Sequence, residues 1–136
     1  MKLLMIYMDR FAYKPTIKTL VEMETIEKGR EFKDAQVAFI HAEEQDIENE
    51  NNVLKKTLKN LKWIAGKNST KRIVLHSFAH LSESKAEPGF TKAFFDKVQK
   101  RLEDTGYEVY QTPFGYFLDL SVEAPGVSLA RVFKSL

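Results

Sequence analysis

Two stretches of the chain carry apolar residues at helical spacing, and a short apolar run lies between them. Leu54, Leu58, Leu61 and Ile64 follow one another at spacings of four, three and three. That pattern makes one apolar stripe on a helix over residues 50–65, with Lys55, Lys59 and Lys62 lying off the stripe. Phe90, Phe94, Val98 and Leu102 recur every four residues and predict a second helix after Pro88 and Gly89. Between them, Arg72-Ile-Val-Leu-His-Ser-Phe78 is too short for a helix and reads as a core strand. A helix, a strand and a helix must bury one stripe, one face and one stripe against each other. Two helices covering a mixed sheet is the arrangement that does so.

The flanking segments supply the other strands. Lys2 to Met8 is almost continuously apolar, the pattern of a strand buried on both faces. Phe11 to Lys14 reads as a second extended piece stopped at Pro15. Alternation at Ile17, Thr19 and Val21 suggests a strand, Glu27 to Arg30 a turn, and Ala35 to His41 another strand. Gly66 predicts the C-terminal cap of the first helix, with residues 67–70 a loop, and Gly106 the end of the second. Tyr107 to Tyr110 alternates as a strand, Thr112 to Gly115 turns, and Phe117 to Val122 extends again. No linker, repeat or low-complexity segment interrupts residues 1–136, which are read as a single domain.

Composition excludes several classes. With 43% hydrophobic and 29% charged residues the chain is globular rather than disordered. No apolar run reaches the roughly 20 residues that cross a bilayer, and the opening run lacks a cleavage site, so no membrane association is expected. The absence of cysteine removes disulfides and thiolate chemistry and fits a cytoplasmic setting. A net charge of +2 permits contact with nucleic acid without arguing for it, and the lysines at 55, 56, 59 and 62 read first as a solvated helix face.

Few residue patterns carry chemistry. His76 and His80 have the spacing of a zinc pair on a helix, but they fall on and after a strand, so no metal is expected. Ser77, Ser82 and Ser84 lack a nucleophile-elbow sequence, and no phosphate-cradling glycine loop is present. The aromatic residues Tyr107, Tyr110, Phe114, Tyr116 and Phe117 are read as core before they are read as a stacking platform. His80 stands apart because it follows the end of a core strand and precedes a helix, where α/β folds place ligands.

Two segments resemble one known family. Ser77-Phe-Ala-His-Leu-Ser82 is similar to the Pro-Phe-Ala-His-Leu-Ser of the editing domain of archaeal threonyl-tRNA synthetases, and Thr112-Pro-Phe-Gly-Tyr116 to its Ala-Pro-Phe-Gly-Tyr. Weaker echoes are Asp9 after the first strand, Gly29-Arg30 and Val37-Ala-Phe-Ile40. The resemblance implies a D-aminoacyl-tRNA deacylase-like α/β fold, usually homodimeric, acting without a cofactor on the tRNA 3′ end. It implies hydrolysis of serine wrongly esterified to threonine tRNA, with the synthetase body as a further partner. Such a step is physically needed, because one methyl group gives only about 1–3 kcal/mol of discrimination.

Carried over by position, the resemblance implies catalytic roles for His80, Tyr116 and Phe117 and substrate binding by Phe78, Ala79, Phe114, Gly115 and Asp9. Two family positions are altered. The lysine of active editing domains becomes Leu118, and a glutamate near the end falls, by ungapped counting, on Arg131. The resemblance therefore implies an editing hydrolase of weakened or changed activity. The alternatives are an inactive pseudo-editing module that binds tRNA or a synthetase partner, and a small-ligand or oligomerisation domain on the same fold.

Overall fold

The computed structural model describes all of residues 1–136. Its strands are β1 (Lys2–Lys18), β2 (Arg30–His41), β3 (Arg72–Ser77), β4 (Glu108–Gln111), β5 (Tyr116–Glu123) and β6 (Arg131–Ser135). Its helices are α1 (Glu50–Lys67) and α2 (Pro88–Glu103). They form one mixed sheet in the order β4-β3-β2-β1-β5, with β6 also paired to β1. β2, β3 and β4 run parallel, whereas β1 is antiparallel to β2, β5 and β6.

The helices lie on one face, as the two apolar stripes require. Leu3, Met5, Ala38, Ile40, Ile73 and Leu75 from the strands meet Leu58, Leu61, Ile64, Phe94, Phe95, Val98 and Leu102 in one core of 19 buried residues. A second cluster of seven, including Met8, Phe11, Phe32, Phe39 and Val74, occupies the other face. No helix covers that side. Leu4 and Ile6 are therefore only half-buried, and β1 is not sealed on both faces as its sequence suggests. Met8 and Phe11, three residues apart, share that cluster, and so do their partners Ala35 and Phe32. The alternation slips by one around Asp9 and Asp34, and Asp34 has φ 51°.

Several local expectations change. β1 continues through Pro15 to Lys18 as one strand. Pairing with β2 ends at Tyr13, and the register with β5 shifts between Pro15 and Lys18, so the missing N–H of proline breaks no regular ladder there. Thr19 and Val21 are not strand residues; the N–H groups of Thr19 and Leu20 both donate to the Gly115 carbonyl, at 2.6 and 3.3 Å. Gly66 lies inside α1 rather than capping it. Ser69, at φ 54°, takes the left-handed position, its N–H donating to Gly66 O (3.1 Å) and that of Thr70 to Ala65 O (3.0 Å). Gly106, at φ 91°, plays the same part for α2, with Tyr107 N–H on Leu102 O at 3.2 Å. β6 has no counterpart among the sequence expectations. It is held by its pairing with Lys2 to Ile6, a pairing across almost the whole chain.

Candidate functional site: a cleft at the strand ends

A cleft of about 360 Å³ opens where β2 and β3 end. One wall is the segment that follows β3 and carries Ala79 and His80; the other is the turn from Thr112 to Phe117. Thr19 and Leu20 lean in from the loop after β1, and Thr91 from the first turns of α2. The two motifs singled out in the sequence thus line one cavity, though 35 residues separate Ser77 from Thr112.

The first wall is bound to the end of β2. Phe78 N–H donates to Ile40 O (2.9 Å) and Ala86 N–H to Ala42 O (3.0 Å). Between these anchors stands His41, fully buried at 1% exposure. Leu81 N–H donates to its Nδ1 at 2.9 Å, and Nε2 lies 2.6 Å from Ser84 O. A carbonyl can only accept, so Nε2 carries the proton and Nδ1 the lone pair. Ser82 extends the attachment by donating to Glu43 Oε2 at 2.7 Å. Glu43 in turn accepts from the Met1 ammonium at 2.7 Å, which also donates to Asp46 at 2.9 Å. Burial pushes the Glu43 carboxyl up, but hydrogen bonds from the Met1 ammonium and Ser82 outweigh it and hold it down at about 2. The Ala79 N–H, in the cleft wall, has no partner within the chain.

The second wall turns at Gly115, whose φ of 82° favours glycine. A Cβ there would meet Leu20 Cβ at 3.0 Å, so the residue also lets the loop after β1 close over the turn. Tyr116 lines the cleft, but its hydroxyl is committed: it donates to Glu24 O at 2.8 Å and accepts from Ile26 N–H at 2.8 Å. Behind the turn Thr112 Oγ1 lies 2.9 Å from His76 Nδ1. Burial, and then the nearby His80, depress His76 to about 4, so it is neutral at neutral pH.

Not every expected residue reaches the cleft. Ala79, His80, Phe114, Gly115, Tyr116 and Phe117 line it, with Phe117 60% exposed at the rim. Phe78 does not. Its ring turns to the face away from the helices, 5.2 Å from Phe39 between centroids. Asp9 is exposed on β1 and outside the cleft. Leu118 pairs with Pro15 and is absent from the lining. Arg131 pairs with Ile6 and donates to Pro125 O at 3.0 Å. Pro15 and Ile6 are nine residues apart on β1, roughly 30 Å of strand at about 3.3 Å per residue. Leu118 and Arg131 are therefore not neighbours within one chain.

Sequence reasoning passed over Lys85, the one lysine that lines the cleft. It also passed over His41, whose role depends on a loop forty residues away and has no signature in spacing. No group of three His, Asp or Glu side chains is placed to hold a metal ion.

Comparison with known proteins adds to this geometry. A family model described as the Archaea-specific editing domain of threonyl-tRNA synthetase matches residues 1–136. A threonine–tRNA ligase of Thermococcus kodakarensis is 30% identical over 139 residues, covering 100% of this chain and 22% of the ligase. Those of Pyrococcus horikoshii and Methanopyrus kandleri are 29% and 28% identical with the same coverage. The chain thus spans about a fifth of the length of these curated relatives. Among solved structures, the c-Myc DNA Unwinding Element Binding Protein superposes with a TM-score of 0.74 over 100% of this chain and 99% of its own, at 10% identity. At that identity the likeness concerns fold alone, and it accords with the deacylase-like α/β class.

Proposed function

This chain belongs to the Archaea-specific editing-domain family of threonyl-tRNA synthetase, and from that premise we propose that it hydrolyses the ester of serine misattached to threonine tRNA. The observation that carries the reading is the convergence of the Ala79-His80 and Phe114-Gly115-Tyr116 motifs on one small cleft. A cavity of about 360 Å³ suits an amino acid and a terminal ribose. The free Ala79 N–H offers a donor for the ester carbonyl, where negative charge develops as water attacks. His80, exposed at the mouth, is the side chain we assign to the terminal ribose. His76, kept neutral and tied to Thr112, shapes the floor.

The one lysine of the cleft is Lys85, on the wall held by His41 and Ala42, and the leucine at position 118 supplies no second cation from beside it. A single long lysine at the rim steadies developing charge less than a fixed cation, so the reaction is slower than in members that keep the lysine. The deciding experiment is a deacylation assay on seryl- and threonyl-tRNA with the 136-residue chain. Hydrolysis of the seryl ester at least about tenfold faster than of the threonyl ester is expected. Binding of tRNA with no hydrolysis would instead favour a pseudo-editing module, the reading supported by the committed hydroxyl of Tyr116.

The partner of the uncovered sheet face is a second copy of the chain. Leu120 and Val122 of β5, opposite Tyr13 and Phe11, are 40% and 46% exposed, and Phe133 of β6, opposite Leu4, is 51% exposed. Directly paired residues share a face, so these side chains join the half-buried Leu4 and Tyr13 in one apolar surface opposite the helices. Family likeness to homodimers supports the same occupant, and the synthetase body and the tRNA 3′ end complete the set of partners.

A further inference from the structure

The two helices share a layer, but their charges are arranged differently. On α2, Lys92 pairs with Asp96 and Lys100 with Asp104, each four residues on, and Lys97 pairs with Glu50. On α1 the only acid is Glu50 at the first position, already taken by Lys97. The five lysines that follow, Lys55, Lys56, Lys59, Lys62 and Lys67, make no ion pair at all.

At about 100° per residue all five fall within an arc of roughly 140°, opposite the buried stripe. Lys55, Lys59 and Lys62 stand above one another at spacings of four and three, where like charges destabilise a helix. A helix that only needed a solvated face would carry interspersed acids, as α2 does. Trp63, the chain's only tryptophan, lies inside the same arc and is 41% exposed. Lys134 of β6 reaches over its ring at 5.8 Å and adds a sixth cation at the margin.

We propose that this face of α1 binds the phosphate backbone of the RNA whose 3′ end enters the cleft. The proposal rests on the tRNA reading above and extends it to a second binding surface. Charge complementarity selects the occupant. From Lys55 to Lys67 the helix presents about 18 Å of unpaired positive charge, the form of surface that phosphates meet without regard to base. An exposed aromatic ring among the cations is the usual companion of such a surface. The face also lies on the side of the sheet away from the apolar surface of Leu120, Val122 and Phe133, so a second copy of the chain does not obstruct it.

The test compares the 136-residue chain with two triple variants of equal charge change. One is Lys55→Gln, Lys59→Gln, Lys62→Gln on α1, and the other Lys97→Gln, Lys100→Gln, Arg101→Gln on α2. Binding of uncharged tRNA is measured over a series of salt concentrations, together with Trp63 fluorescence. Removing one lysine that neutralises a phosphate should lower the slope of log K against log salt by about one. The α1 triple is expected to lower it by about 2–3 and to weaken binding at least tenfold near 0.1 M salt. The α2 triple is expected to do less than half as much, and tRNA should change the Trp63 emission of the native chain. Equal effects in the two triples, binding with no change at Trp63, or an α1 triple that binds like the native chain would each overturn the proposal. The last of these would assign the face to an acidic protein surface instead. A short 3′-terminal oligonucleotide carrying the seryl ester separates this result from the editing reading. The α1 triple should hydrolyse it at the native rate while its KM for full tRNA rises about tenfold. Absence of hydrolysis in every variant would sink the editing reading and leave the binding result to decide this one.

Discussion

The hydroxyl of Tyr116 donates to the carbonyl of Glu24 at 2.8 Å, joining the cleft wall to the loop between β1 and β2. The same oxygen accepts from Ile26 N–H, so its proton and one of its lone pairs are directed to that loop rather than to the cavity. Tyr116→Phe removes both bonds and leaves one backbone N–H unpaired. A loss of about 1–2 kcal/mol is expected, with faster hydrogen exchange confined to residues 19–29. Deacylation should fall only a few fold. A drop of a thousandfold with an unchanged loop would mean that the hydroxyl acts on substrate.

His41 is expected to act through position alone. His41→Asn keeps an acceptor near Nδ1 for Leu81 N–H but loses the donor to Ser84 O, and His41→Leu loses both. The asparagine variant should retain more deacylase activity than the leucine variant at comparable fold stability, measured by thermal unfolding beside single-turnover rates. Equal activity in both would detach the clamp from function.

Lysine introduced at position 118 is expected to act independently of position 131. Within one chain the two positions lie roughly 30 Å apart along β1, so Leu118→Lys and Arg131→Glu should combine additively in deacylation rates, within about 0.5 kcal/mol. Larger coupling would require the two to meet across a dimer.

Acid should lower the stability of the chain over two pH windows. His76, folded near 4 against about 6.5 when unfolded, is stabilising only while neutral, so stability is full above pH 6.5 and falls as pH drops towards 4. Glu43, folded near 2 against 4.5, stabilises while charged, so its share is full above pH 4.5 and is lost as pH falls towards 2. Urea unfolding from pH 7 to pH 2 should show His76→Gln flattening the upper window and Glu43→Gln the lower one. Unchanged slopes would contradict both assignments.

The uncovered sheet face predicts self-association. Val122→Glu with Phe133→Lys should convert a dimer to a monomer at micromolar concentration in sedimentation, with the helix-side core unaffected. A native chain that already sediments as a monomer would remove the second copy from this face.

What the sequence determined by itself was everything written in local periodicity and in two contiguous motifs. Leu54 to Ile64 and Phe90 to Leu102 specify helices because each stripe lies within one element, and Gly106 specifies a stop because its backbone angle is local. Ala79-His80 and Phe114-Gly115-Tyr116, which line one cleft, were legible as a candidate site because short segments carry them whole. The tertiary structure decided what depends on pairing between distant segments. β6 exists because Met1 to Ile6 offers it an edge, and Pro15 is tolerated because β1 has lost one neighbour there. Phe78 leaves the cleft because the other face of the sheet has room for its ring. His41 becomes a clamp only when a loop forty residues on is laid across it, and Lys85 becomes the lysine of the cleft by the same placement. Leu118 and Arg131, both read from the sequence as altered family positions, are separated by the span of a single strand that no count along the chain reveals.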